Sequence, residues 1–381
     1  MDLIDSQKGG IMEQEKRPII ILAALLVATI LLSGTYIIMI SGDDDGDADV
    51  EFTQILDAMN LMLRLDGSPE TIVSTAPSIT EILYQMGYGD RIVAASDYTT
   101  YPQEAVDRMA LPNSDPNYLP SMGSYWSPNV ELITNISADV VFITLTSGSV
   151  EVYDSLKEMG QTVVMLHQEA SAADIYKNYW LILNVMNPPS STLDVEAMMD
   201  SAAALYDMRQ SIKAVKEKME SGTVDKQFLI HLGWSTDLSE DVWAVGANTF
   251  ISAGAELANM TENTANFDGF AQISKEFYLA NGTNPEIIIS VGWHWAGFDN
   301  HGDLMAALIA DPVWGATDAV QNNKVYVFEG RAEEITSRAS PQAYGDLVKL
   351  LAMVLQPQVF DAFTPPHVIG SDYADLFDGQ W

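Results

Sequence analysis

Two histidines and two aspartates crowd into HWAGFDNHGD, at His294, Asp299, His301 and Asp303. Imidazole plus carboxylate is a donor set that suits zinc or manganese. Such a group would either hold a bare divalent ion or activate water in a surface metallohydrolase. A polar loop after a strand would give the same residues without chemistry. A second polar crowd lies in STAPSITEILYQMGYGDRIVAASDYTTYP, Ser74 to Pro102. Ser78 and Thr80 there suit the start of a helix, and Glu81 suits its first turn, where the helix dipole favours a carboxylate. Asp97 and Tyr98 follow a buried strand. In a parallel α/β sheet, ligands bind beyond the carboxyl ends of strands, which makes Asp97 and Tyr98 the better site candidates.

Aromatic residues recur at comparable places. Tyr125 and Trp126 fall in the first half of the chain, and Trp234, Phe270, Trp293 and Trp295 in the second. Large aromatics usually belong to a core. Beside Gly and Ser in loops that follow strands, they also suit a cleft that stacks on a flat or bulky ligand. Nucleophilic catalysis finds no candidate. The 381 residues contain no Cys, and no H-E-x-x-H, G-x-S-x-G, phosphate-binding or dinucleotide-binding glycine motif is present.

The elements that must position these residues alternate. TIVS, RIVAAS, DVVFITL and QTVVML read as buried strands, separated by helical SITEILYQMG, SPNVELITN and VYDSLKEMG. Continuously apolar strands alternating with helices are the mark of a parallel sheet covered on both faces. From Ser191 to Ser221, apolar residues recur at Val195, Met198, Met199, Ala202, Leu205, Ile212, Val215 and Met219, a helical stripe that Ser191 would cap and Gly222 would end. The α/β pattern then resumes through KQFLIHLGW, VWAVGANTFISAGAELA, EIIISVGW and KVYVFEG. ELITNISADVVFI and EFYLANGTNPEIIIS echo one another, each with a Glu opening a short helix before a buried strand.

Ile19 to Ile40 carries no charge across 22 residues. At 1.5 Å per residue that is roughly 33 Å, enough to cross a bilayer core. Lys16 and Arg17 precede it and Asp43, Asp44 and Asp45 follow, so the positive-inside rule places everything after Ser41 outside. GDDDGDAD fails as an EF-hand loop because its twelfth position is Phe52. It reads as a solvated linker. Acidic residues outnumber basic ones 53 to 18, for a net charge of −35. That excess argues against nucleic acid and against an anionic membrane surface as partners. Without Cys there is no disulfide, no thiolate metal site and no lipid-modified Cys anchor. Asn135, Asn259 and Asn281 head N-x-S/T sequons.

From Phe52 onward the chain resembles the substrate-binding proteins of ABC importers for iron–siderophore complexes and vitamin B12. The resemblance rests on ETIVSTAPSITEILYQMGYGDRIVAASDYTTYP, MGSYWSPNVELITNISADVVFI, VWAVGANTFISAGAELA, DPVWGATDAVQNNKVYVF and SRASPQAYGDLVKLLAMVLQP, in that order. It implies two α/β lobes joined by one rigid helix, with a ligand held between them and no bond made or broken. It also implies that LDAMNLMLRLDG forms a small hairpin. Glu131 and Glu276 match the two carboxylates that dock each lobe onto arginines of a permease dimer. Tyr125 and Phe270 match aromatics of the B12-binding members, and Arg338 in RASP matches their Arg segment. Arg331 and Arg338 are the only arginines placed to hold an anionic chelate.

The expectation is therefore an α/β chain of two mostly parallel lobes joined by a long α-helix and preceded by a transmembrane helix. Its segments are a cytoplasmic tail at 1–18, an anchor at 19–40, an acidic linker at 41–51, an N-terminal lobe at 52–190, a connecting helix at 191–222 and a C-terminal lobe at 223–381. The expected function is extracytoplasmic capture of a metal chelate or corrinoid and its delivery to an ABC permease, without enzymatic turnover or a cofactor. The rivals are a bare-metal binder using His294 and His301, and a metallohydrolase using the same cluster.

Overall fold

The computed structural model describes residues 53–65, 67–146, 148–188, 192, 194–220, 227–234, 238, 240–262, 264, 266–279, 283–291 and 297–381. The chain forms two compact units. The first takes in the chain to Gln168 together with Tyr176–Tyr206, and the second Glu169–Ile175 together with Asp207–Trp381. The apolar span at 19–40 lies outside the described residues. Among the described residues no helix is long and apolar enough to cross a membrane.

In the first unit, β1 (Thr53–Leu56) and β2 (Met62–Leu65) form the expected antiparallel hairpin. Next come β3 (Ile72–Ser74), β4 (Ile92–Ala95), the short pair β5 (Gly123–Ser124) and β6 (Ser127–Pro128), β7 (Val140–Thr144) and β8 (Val163–Leu166). The main sheet has the order β4-β3-β7-β8 and is parallel throughout. Every residue of β7 and β8 is buried, as strands with helices on both faces require. Val73, Val141, Ile143, Tyr153, Leu156 and Met165 share one core.

A buried carboxylate fastens the hairpin to this core. Asp57, 5% exposed, accepts from the Met59 and Leu61 amides at 2.9 and 3.0 Å through one oxygen. Its other oxygen accepts from the Tyr153 hydroxyl at 2.7 Å and the Met165 amide at 3.3 Å. Hydrogen bonds to a charged acceptor are among the stronger ones, and donors left buried without it keep their full desolvation cost. Asp57→Ala is expected to lower unfolding free energy by about 3 kcal/mol. A urea midpoint that barely moves would refute this.

The Pro77–Gln85 helix starts earlier than the sequence implies. Its cap is Ala76, with no side-chain cap bond, and no acidic residue stands in its first turn. Pro77 at the first position supplies the fixed φ that starts a helix. Ser78, Thr80 and Glu81 are consequently interior and buried. The Thr80 hydroxyl lies 2.8 Å from that of Ser74, tying the helix to the end of β3.

The long helix is Val195–Met219, of 25 residues, roughly 37 Å long. Asp194 caps it by accepting from the Ala197 amide at 3.0 Å. Ser191 and Gly222, expected at its ends, lie outside the described residues. The expected stripe holds at Ala202, Leu205, Val215 and Met219, which are buried, and departs at its start. Val195 and Met199 are 62% and 41% exposed, while Ala197, Ser201, Leu205, Met208, Val215 and Met219 are buried. These steps of three, four and seven form an equally regular helical face. Composition placed the stripe on Val195 and Met199 because small Ala197 and Ser201 carry little apolar signal.

The second unit contains β9 (Gln227–His231), β10 (Val242–Val245), β11 (Thr261–Glu262), β12 (Phe270–Ile273), β13 (Ile287–Ser290), β14 (Val325–Phe328) and β15 (Val368–Ile369). Its sheet runs β12-β10-β9-β13-β14-β15, with β11 against β9. β9, β13, β14 and β15 pair in parallel, but β10 is antiparallel to both β9 and β12. The sheet is thus mostly parallel, as expected, with β10 and β12 as its antiparallel edge. Its core centres on Trp314 and Tyr278, stacked with ring centroids 5.4 Å apart.

Candidate functional site

In the first unit the site candidates gather where β4 ends. The backbone from Pro120 to Gly123 is laced to that end. The Ala95 amide donates to Pro120 at 3.1 Å, the Met122 amide to Ala95 at 2.8 Å and the Asp97 amide to Gly123 at 3.0 Å. The Ser121 hydroxyl donates to the Asp97 carboxylate. This lacing holds the β5–β6 turn, which carries Tyr125 and Trp126 with their rings edge to face at 4.8 Å. Trp126 is 69% exposed and Tyr98 is 51% exposed. The structure therefore brings Asp97, Tyr98, Tyr125 and Trp126 to one ledge beyond the carboxyl edge of the sheet. Ser121, the partner of Asp97, escaped sequence reasoning, since a lone Ser before Met-Gly carries no signal.

The same segment continues into the Val130–Ile136 helix. Asn129 caps it, accepting from the Leu132 amide at 2.9 Å, and Glu131 lies exposed in its first turn. Glu276 lies instead on a 3-10 helix, Lys275–Leu279, so the two halves of the sequence echo differ in helix type. The Ser274 hydroxyl donates to the Glu276 carboxylate and holds its pKa below the ordinary value. Beside it, Lys275 pairs with Asp311 at 2.7 Å, with side chains only 10% and 12% exposed. Burial disfavours the Asp311 charge. The Lys275 ammonium and the Trp314 and Val313 amides outweigh it and hold the pKa low.

The second unit corrects several expectations. Trp234 is 2% exposed and packs between the His231 ring at 4.1 Å and the Trp314 ring at 4.9 Å. It is a core residue, drawn in by the aromatic cluster, and presents no face to a ligand. Arg338 is 8% exposed, with Nη1 donating to the Ser337 hydroxyl at 2.7 Å. It lies beside Glu333, whose pKa burial pushes up, with Glu334 adding to that rise and Arg338 opposing it. Arg331 pairs with Glu334 at 3.2 Å. Both arginines thus serve acidic neighbours in their own unit. Phe270 keeps its place as a candidate. It opens β12 opposite Val245 and is 44% exposed. Next to it, Gly246 donates its amide to Gly269 at 2.7 Å, and a Cβ there would strike the Phe267 and Gly269 carbonyls. Trp293 and Trp295 lie outside the described residues.

The described members of the histidine–aspartate cluster are held by hydrogen bonds and ring stacking. Its polar run opens the His301–Ala310 helix, with Asn300 as cap. Asp303 is bound to that cap, its carboxylate accepting from Asn300 Nδ2 at 2.7 Å. His301 Nε2 is 2.9 Å from the Val325 carbonyl, and its ring stacks on His367 at 4.5 Å. Burial lowers the His301 pKa, the Val325 bond opposes that, and the His367 neighbour adds to the lowering. His294 lies outside the described residues. Among the described residues, no group of three or more His, Cys, Asp or Glu is placed to hold a metal ion.

Residues 72–332 match the family model described as periplasmic binding protein, well over half of the chain. The chain belongs to that family, and its α/β fold is the periplasmic-binding one. An uncharacterized ABC transporter substrate-binding lipoprotein, YvrC of Bacillus subtilis, is 24% identical over 344 residues, 89% of this chain and 97% of that protein. A cobalamin-binding protein of Halobacterium salinarum is 23% identical over 238 residues, 61% of this chain but only 57% of that protein's length. Among solved structures, the vitamin B12 binding protein BtuF of Vibrio cholerae superposes with a TM-score of 0.57 at 20% identity, covering 76% of this chain and 98% of that one. Helicobacter pylori CeuE with Ni(II) bound gives a TM-score of 0.60 at 18% identity, covering 82% and 91%.

Proposed function

We propose that this chain is a membrane-anchored, extracytoplasmic substrate-binding protein that captures a metal chelate or corrinoid and passes it to an ABC permease. The observation that carries this reading is the ledge of Asp97, Tyr98, Tyr125 and Trp126, open aromatic surface on a rigid strand end in a chain of this family. Exposed aromatic faces beside a fixed carboxylate suit holding a flat or bulky ligand. Phe270 is a separate exposed aromatic candidate within the second unit. With Arg331 paired to Glu334 and Arg338 buried beside Glu333, a neutral or cationic chelate or a corrinoid fits better than a highly anionic siderophore. His301, committed to Val325 and His367, weighs against the bare-metal and metallohydrolase readings.

Ile19–Ile40 is the anchor in this reading. YvrC is named a lipoprotein, but this chain has no Cys to carry a lipid. Glu131 and Glu276 dock the two lobes on the permease.

Titrating the purified full chain by Trp fluorescence against cobalamin, haemin and ferric siderophores tests the reading. At least one is expected to bind with a Kd below about 10 μM, tighter than about −7 kcal/mol. Trp126→Ala is expected to weaken that binding by about tenfold, the worth of one aromatic stacking contact. Failure of every probe would overturn the reading.

A further inference from the structure

The two stretches that build the first-unit ledge carry charge of one sign only. From Ser96 to Glu104 and from Pro120 to Glu131 the charged residues are Asp97, Glu104 and Glu131, with no Lys, Arg or His. Arg91 and Arg108, before and after β4 in the chain, are both spent at its beginning. Arg108 donates to the Ile92 carbonyl at 2.7 Å and to the Gly89 carbonyl at 2.9 Å. Arg91 donates to the Ser68 hydroxyl and the Pro69 carbonyl, both at 2.8 Å. Ile92 opens β4, whereas Asp97 lies past its last residue, Ala95. Asp97 is exposed and is fixed twice. Its amide donates to Gly123 at 3.0 Å, and its carboxylate accepts from the Ser121 hydroxyl. Gly123 and Ser124 pair with Pro128 and Ser127, which leaves Tyr125 and Trp126 as the turn of that hairpin. Their rings meet edge to face at 4.8 Å. A pinned carboxylate is thus bonded, through its own backbone, to the hairpin that carries a pair of touching rings.

That combination is the chemistry of organic-cation recognition. An aromatic face attracts an ammonium through its quadrupole, and a carboxylate attracts it by charge and hydrogen bonding. An anionic group would be repelled by Asp97, and a neutral one would make no use of its charge. The second unit, taken by itself, has the same character. Its cavity of about 650 Å³ is lined in part by Phe298, Asp299 and Glu329, and by no Lys or Arg among the described residues. We infer that the ledge reads a positively charged group on the ligand, an ammonium or quaternary ammonium arm, with Asp97 as its charge partner and Tyr125 and Trp126 as its π-faces. This inference rests on the substrate-binding reading above and narrows the ligand to a cationic one.

The full chain is titrated with two ferric trihydroxamates that differ only at one end, a terminal ammonium in one and its N-acetyl amide in the other. Haemin and cobalamin are titrated alongside. The wild type is expected to bind the ammonium chelate about fivefold tighter than the acetylated one. Asp97→Asn keeps an acceptor for Ser121 but removes the charge, and is expected to bring the two affinities within about twofold of each other. About 1 M sodium chloride is expected to do the same to the wild type, since exposed charges are then screened over about 3 Å, and that arm needs no variant. Equal affinities in the wild type would overturn the inference, as would a preference undiminished in that salt. A preference that survives Asp97→Asn would belong to the overall charge of −35 and overturn it as well. Binding of haemin or cobalamin with neither hydroxamate would overturn it and leave the importer reading standing. If no probe binds the wild type, both readings fall together.

Discussion

The double variant Glu131→Ala, Glu276→Ala is expected to lower ligand uptake by on the order of tenfold or more, while ligand affinity stays unchanged. Both carboxylates are exposed, one in the first turn of the Val130–Ile136 helix and the other on the Lys275–Leu279 3-10 helix. Exposed charges contribute little to their own fold. In the docking proposal they act on a partner, by steering approach and fixing register against a basic surface. The loss should therefore appear in transport through the permease and not in thermal stability. Added salt should weaken wild-type uptake in the same direction, since exposed pairs are screened over about 8 Å at physiological ionic strength. Each single variant should fall between the wild type and the double. Uptake that is equal in wild type and double variant would end the docking assignment, whatever the ligand proves to be.

Asp311→Ala is expected to cost about 3–5 kcal/mol of stability, because it strands the buried Lys275 ammonium without its partner. It also removes the acceptor for the Val313 and Trp314 amides. The pH dependence has a definite sign. Asp311 has a folded pKa below its ordinary value of 3.8, through Lys275 and the two amides acting against burial. Its contribution is therefore complete above that ordinary value and is lost as pH falls through the folded one. Wild type should lose stability in acid more steeply than Asp311→Ala does. Parallel stability curves for the two proteins between about pH 5 and pH 2 would contradict this. Because Lys275 adjoins Glu276, the same pair holds the 3-10 helix that bears the second carboxylate proposed for docking.

Much of the fold was legible because its signals are local. β3, β4, β7 and β8 are short, largely apolar and separated by helical periodicity, and they form the parallel sheet this implies. What stayed hidden depends on contacts distant in sequence. VWAV reads as one more buried strand, and only its pairing with FAQI turns Trp243 outward. Trp234 follows a strand just as a cleft residue would. The aromatic ring of Trp314, eighty residues further on, captures it in the core. The His301 imidazole resembles a ligand until the Val325 carbonyl and the His367 ring, both remote in sequence, are seen to occupy it. At the first-unit ledge the sequence identified the aromatic residues and Asp97. It could not show that Ser121 locks Asp97 in place, because that bond spans a 24-residue excursion.

The Asp57 clasp has a mechanical meaning. Any tension arriving from the chain before Thr53 enters β1 first. That strand's far end is pinned by one carboxylate to the Tyr153 hydroxyl and the Met165 amide. Load is thereby passed to the Ser149–Glu158 helix and β8, the outer strand of the four-stranded sheet. The ledge bearing Asp97 and Trp126 hangs from β4, at the opposite edge of that sheet. In the anchored reading, a pull on the tether is taken up at one edge of the sheet, and the proposed ligand ledge at the other edge is spared.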